Sequence, residues 1–132
     1  MAASPVLVDS SFYIRQLRQG QDPLPTLALA AATRDLAVCP IVRCEVGRAL
    51  RDLKAVKRFR AFWDVMINVP TDHRLWEEVE RMLWNLDRHG VMLPLTDVVI
   101  GCCAVRIKAV ILTGDGHFNR IPGVRPVDRL EE

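Results

Sequence analysis

Short apolar runs of strand length alternate with longer stretches whose apolar residues recur at helical spacing, and this alternation narrows the possible folds more than any other feature. Residues 5–8, 36–41, 67–69, 91–95, 109–113 and 124–127 read as strands. Residues 11–18, 26–33, 42–51, 54–65 and 96–108 read as helices, and residues 20–25 as a loop in which Pro23 and Pro25 bar helix continuation. The clearest helix follows Pro70. Leu75, Trp76, Val79, Met82, Leu83 and Leu86 fall on one face and Glu77, Glu78, Glu80 and Arg81 mostly on the other, with Thr71 or Asp72 to cap its start and Gly90 its end. Strands that are apolar on both faces and separated by helices have to be covered on both sides. The expectation is an α/β fold, a three-layer α/β/α sandwich with a central mostly parallel sheet. With 132 residues and no internal repeat or dividing linker, residues 1–132 read as one domain.

Half of the residues are hydrophobic and 26% are charged, the balance of a globular protein. The net charge of +2 neither demands nor excludes a polyanionic partner. No run approaches the ~18 apolar residues of a membrane span, and Met1-Ala2-Ala3-Ser4-Pro5 has no basic flank before a long apolar stretch, so neither a membrane segment nor a secretory leader is expected. Cys39, Cys44, Cys102 and Cys103 contain no C-x-x-C pair, and two are adjacent, which argues against a zinc site or a disulfide framework. They read as reduced, mostly buried thiols packed as small hydrophobes, which suits the cytoplasm.

Acids stand at telling places in this pattern. Asp9 directly follows residues 6–8, Asp97 follows residues 93–95 by one residue, and Asp115 follows residues 110–113 by one. In an open parallel sheet, ligands bind beyond the carboxyl ends of the strands, so these three side chains are expected to project into one crevice. Glu45 joins them from the helix after residues 36–41, where Val42, Val46, Ala49 and Leu50 place it beside the apolar face. Any one of these acids has a plainer role as a helix cap, and Asp97 before Val98-Val99-Ile100 fits that role well. Their convergence favours a shared site. Carboxylates so close raise one another's pKa unless a cation neutralises them. Oxygen ligands without a matching His or Cys set favour Mg²⁺ or Mn²⁺ over zinc. Such an ion suits phosphate chemistry, polarising a phosphoryl oxygen and activating a water, and two ions ~4 Å apart would stabilise both attacking and leaving oxygens.

Four segments carry a family resemblance: Val6-Leu7-Val8-Asp9-Ser10-Ser11, Pro40-Ile41-Val42-Arg43-Cys44-Glu45-Val46, Leu93-Pro94-Leu95-Thr96-Asp97 and Leu112-Thr113-Gly114-Asp115-Gly116-His117-Phe118. In this order they resemble the signature segments of PIN-domain ribonucleases, and within them the VapC-like toxins of prokaryotic toxin–antitoxin pairs. Each segment alone is weak, whereas the ordered set is fairly specific and spans almost the whole chain. The resemblance implies an Mg²⁺- or Mn²⁺-dependent endoribonuclease with Asp9, Glu45, Asp97 and Asp115 as its catalytic acids. Asp9, Asp97 and Asp115 would hold the metal directly or through water, and Glu45 would help orient the water. Thr113 would support the site's backbone or a substrate phosphate, and Ser11 matches the small hydroxyl residue after the first Asp, with capping of the first helix as its ordinary alternative. An antitoxin is implied as well, as a small protein laying an apolar helix on the surface and a basic side chain near the acids. Gly114 and Gly116 stand where the family often has charged or bulkier residues, so the loop around Asp115 is expected to be more flexible than usual.

Charge is unevenly spread. Arg43, Arg48, Arg51, Lys54, Lys57, Arg58 and Arg60 oppose only Glu45 and Asp52, whereas residues 64–87 carry a local charge of −4. The basic stretch is a candidate route for an RNA backbone, led by Arg48, Arg51 and Lys54, with an ordinary solvated helix face as the alternative. His117 is placed to contact substrate or to protonate the leaving oxygen, or else is a surface-loop histidine. Trp76 reads as core or subunit packing, while Trp63 and Trp84 stay open between packing and base stacking. So much apolar surface on a small domain leaves area for a homodimer or the antitoxin to cover. A receiver-like phosphoacceptor would need a second acid beside Asp9 and a Lys after the last core strand, where Ser10-Ser11 and Gly114-Asp115 stand instead. A non-catalytic PIN-type RNA- or protein-binding module is the other alternative.

Overall fold

In the computed structural model, which describes residues 3–130, the chain runs β1 (Val6–Val8), α1 (Ser10–Arg18), α2 (Pro23–Ala31), β2 (Leu36–Val38), α3 (Pro40–Gly47), α4 (Leu53–Asp64), β3 (Ile67–Asn68), α5 (His73–Arg88), α6 (Leu95–Arg106), β4 (Val110–Leu112), a short 3-10 helix (Gly116–Arg120) and β5 (Arg125–Val127). Met1 and Ala2, part of the leader reading above, lie outside the described residues.

The central strands β1, β2 and β4 hold only Val, Leu, Ile and Ala, and all but Val110 are buried, as strands covered on both faces must be. The sheet order is β3-β2-β1-β4-β5 and every pairing is parallel. Val6 lies beside Leu36 and Val110, and Leu7 beside Ala37 and Ile111. Six α-helices flank this sheet, with α1 packed on α3 and α5 on α6. The sandwich is thus as expected, with the sheet wholly parallel. Pro126, beside Ile111, sits in the edge strand β5, the kind of position where a sheet tolerates a residue without an N–H.

An aromatic cluster closes the core over α1 and α4. Trp63 meets Tyr13 and Phe59 edge to face at 5.9 and 5.6 Å between centroids, and its indole N–H donates to the Tyr13 hydroxyl at 3.1 Å. Trp63 is therefore a packing residue. Trp84 is 59% exposed, with the Arg88 guanidinium 4.3 Å above its ring. Cys39, Cys102 and Cys103 are buried and Cys44 is exposed, and all four are free thiols.

Several boundaries differ from the expectation, each through a proline. Residues 91–95 form no strand: Pro94 takes the cap position of α6, and Val91 is drawn back by its N–H to Leu86 O at 2.9 Å. Pro23 begins α2 rather than blocking it, because the missing N–H costs nothing in a first turn and the Asp22 side chain accepts from Leu24 N. Pro40 likewise starts α3, so β2 ends at Val38. Asp72 caps α5 as expected, accepting from Leu75 N at 2.9 Å, and Gly90, at φ +74°, follows its end. Among the described residues no helix is long and apolar enough to cross a membrane.

Candidate active site

The carboxyl ends of β1 and β4 lie side by side, and the Asp9 N–H, donating to Leu112 O at 2.9 Å, extends their pairing by one residue. Asp9 therefore begins α1 from a buried position, 2% exposed, with its side chain accepting from Ser11 N. Hydroxyl groups converge on its Oδ2, Ser11 Oγ at 2.7 Å and Thr113 Oγ1 at 2.9 Å. Both hydroxyls also accept from the β4 loop, Ser11 Oγ from Gly114 N at 3.1 Å and Thr113 Oγ1 from Asp115 N at 2.9 Å. The loop around Asp115 is thus fastened to α1 through the side chains that orient Asp9. Ser10 Oγ bridges to the next acid, donating to Glu45 Oε1 on α3 at 2.9 Å.

Asp115 caps the short 3-10 helix by accepting from His117 N at 2.9 Å. That turn brings the His117 ring back over the acids, with Nδ1 2.7 Å from Asp97 Oδ2 and 3.3 Å from Asp115 Oδ1. Asp97 does not stand beyond a strand and is not the cap of its helix; it lies in the first turn of α6, where the N-terminal end of the helix favours a carboxylate. Burial pushes the Asp97 carboxyl above the usual carboxylate range, and the Asp115 and Asp9 charges add to the rise while His117 opposes it. Glu45 is also raised, chiefly by burial and then by Asp9 and Asp97, against the Ser10 hydrogen bond. The His117 imidazole is raised in turn, mainly by its bond to Asp97. Like charges crowd here, and the His117 imidazole is the neighbouring group that opposes them.

Asp9, Glu45, Asp97 and Asp115 line a single cleft of about 490 Å³, together with Ser10, Ser11, Ile14, Arg15, Arg18 and Gln19. At its edge, two of these acids, Asp97 and Asp115, and the adjoining His117 each offer a ligand atom, all within 4.8 Å of one another. This triplet is a possible metal site. It differs from the expected Asp9, Asp97 and Asp115 by bringing in a ring nitrogen, so the donor set is not purely oxygen. Two carboxylates and an imidazole nonetheless suit a divalent cation. A larger depression of about 710 Å³, lined by Thr113 and Gly114 among others, shares only Asp115 with the cleft and so holds only that one of the four acids.

The basic residues fall into unlike groups. Arg43 pairs with Asp64 at 3.0 Å and lies over the Trp63 ring, and Arg58 pairs with Asp22, so two members of the basic stretch already have partners. Arg48, Arg51 and Lys54 are solvent-exposed and are not among the residues lining the acid cleft. Arg15 and Arg18, which the charge count passed over, do line it. Helical spacing was the available signal, since Arg15 and Arg18 follow Ser11 by four and seven residues and share its face of α1.

A parallel α/β fold with acids gathered at the carboxyl end of its sheet defines the class of protein. The family follows from the sequence: residues 6–124 match the model of the PIN domain, and the chain belongs to that family. No curated protein sequence matches it significantly. Among solved structures, the fold is similar to a chain of VapBC2 from Rickettsia felis bound to a promoter DNA fragment, with a TM-score of 0.75, 16% identity, and coverage of 93% of this chain and 97% of that one. It is similar to a chain of DNA-bound VapBC from Salmonella typhimurium, with a TM-score of 0.74, 18% identity and coverage of 95% and 98%. Mycobacterium tuberculosis VapC20, a sarcin-ricin loop cleaving toxin, aligns with a TM-score of 0.66, 18% identity and coverage of 92% and 99%. These chains share the architecture over essentially their full length.

Proposed function

We propose that this chain is a divalent-metal-dependent endoribonuclease and the toxin of a toxin–antitoxin pair. The observation that carries the reading is the cleft in which Asp9, Glu45, Asp97 and Asp115 meet, with Asp97, Asp115 and His117 within ligating reach of one ion. Asp97 and Asp115, with Asp9 beside them, would hold Mg²⁺ or Mn²⁺. When bound, the ion supplies Lewis-acid polarisation of a phosphoryl oxygen and lowers the pKa of a water. Glu45, whose carboxyl burial raises above the usual carboxylate range, would orient the attacking water and accept its proton. Ser11 and Thr113 hold Asp9 in one orientation. His117, bonded through Nδ1 to Asp97, would meet substrate and return a proton to the leaving oxygen. Arg48, Arg51 and Lys54 would steer more distant RNA phosphates.

The same reading carries an antitoxin partner, which the neighbouring VapBC complexes support, and a homodimer covering apolar surface such as that around Trp84. A cytoplasmic setting suits the free thiols. The test is an Asp97→Asn variant, purified and assayed for cleavage of RNA with Mg²⁺ or Mn²⁺, its fold checked by circular dichroism. Loss of cleavage with the fold intact is expected. Equal cleavage by variant and wild type overturns the assignment, and RNA binding without cleavage by the wild type indicates the non-catalytic module instead.

A further inference from the structure

The acid cleft has a second wall. On α1, Ser11, Arg15 and Arg18 succeed one another along one face, so the helix that presents Asp9 at its start carries two guanidinium groups one and two turns later. Arg15 is exposed, and its guanidinium lies against the backbone of Gly114, one residue before Asp115. A Cβ built at position 114 would overlap Arg15 Nη2 and fall 2.6 Å from its Cζ. The backbone there has no left-handed φ, so what the glycine provides is room for the guanidinium and not a turn. The same Gly114 donates its N–H to Ser11 Oγ, so α1 and the β4 loop are joined both at the foot of the cleft and along its wall. Among the described residues Arg15 forms no ion pair, in contrast to Arg43, Arg58 and Arg106.

Resting on the nuclease reading, we propose that Arg15, seated in the notch left by Gly114, is a substrate-positioning residue that holds an RNA phosphate next to the one being cut. A polyanion approaching four carboxylates is repelled, and a guanidinium beside them supplies the compensating charge. Its planar fork suits a phosphate's paired oxygens better than an ammonium does.

The test measures binding of a fluorescein-labelled, mixed-sequence single-stranded oligoribonucleotide to the Asp97→Asn chain across a salt series. Added Arg15→Gln is expected to weaken binding several-fold and to flatten the log–log salt slope by about 0.7, one single-strand phosphate contact. Arg15→Lys keeps the slope but loses affinity. Gly114→Ala, which displaces the guanidinium, weakens binding on its own and adds little in the Arg15→Gln background. An Arg125→Gln control, whose guanidinium contacts Ser4 and the Lys108 carbonyl at the opposite end of the sheet, leaves the slope unchanged. An unchanged slope in Arg15→Gln, or an equal effect of Gly114→Ala in both backgrounds, overturns the role of Arg15 while wild-type cleavage still supports the nuclease. A wild-type chain that neither binds nor cuts the oligoribonucleotide overturns both.

Discussion

Asp9 and Asp97 face the same cleft and are held in opposite ways. Asp9 is wired by neutral hydroxyls, Ser11 and Thr113, which belong to the two segments the sheet already aligns. Asp97 is held by a titratable group, the His117 ring that reaches it from a short 3-10 turn. One half of the site is thus pre-built by the fold, whereas the other is balanced electrostatically and is the half where a cation has somewhere to act. The difference separates orientation from charge compensation within a few residues.

Replacing groups on each side should break this contrast in distinct ways. The largest effect is expected from Glu45→Gln, which removes the proposed base: initial rates of RNA cleavage should fall by about 10²–10⁴-fold while the melting temperature holds or rises, since a crowded carboxylate is gone. Thr113→Val acts on the wired half, depriving Asp9 of a buried donor and Asp115 N of its acceptor. Chemical denaturation should show a loss of about 1–3 kcal/mol, with Thr113→Ser restoring most of it. Saturating Mn²⁺ probes the other half. Thermal shift should show stabilisation approaching about 2.7 kcal/mol at a hundred times the dissociation constant, and none in Asp97→Asn. A rise of equal size in both proteins would place the ion elsewhere.

Asp72 provides the smallest effect and a reference outside the cleft. Its carboxyl is lowered by the Leu75 N–H and then by Arg106. A folded value below the unfolded one stabilises the fold above the unfolded pKa, and that contribution is lost as pH falls through the folded value. Asp72→Ala should therefore lower the melting temperature slightly near pH 7, and the gap from wild type should close below about pH 4.

Much of this molecule is readable from its residues. The apolar tripeptides of β1, β2 and β4 can be stable only when covered on both faces, and the stripe from Leu75 to Leu86 has helical period, so the layers and their order follow. Residues 91–95 are apolar enough for a strand, and what excludes one is long-range: the sheet has no place for it, and Pro94 opens α6. Prolines 23 and 40 start helices because the residue before each takes the cap position, a distinction that a simple breaker rule loses. The four acids named from their spacing do share a cleft. Less legible were Arg15 and Arg18, since counting charges along the chain favours dense runs over a sparse helical face. Seating Arg15 on Gly114 depends on a contact across ninety-nine positions, which no local pattern encodes.

Pro126 has a consequence for how copies of this chain can meet. The Val127 carbonyl accepts from Thr113 N, so Val127 addresses β4, and alternation turns the Pro126 nitrogen toward the open side of β5. A strand arriving there would find no hydrogen to accept, which guards this border against runaway lateral stacking of sheets. Association is thereby steered away from that border and onto surfaces built of side chains, where geometry can limit it to a closed set of partners.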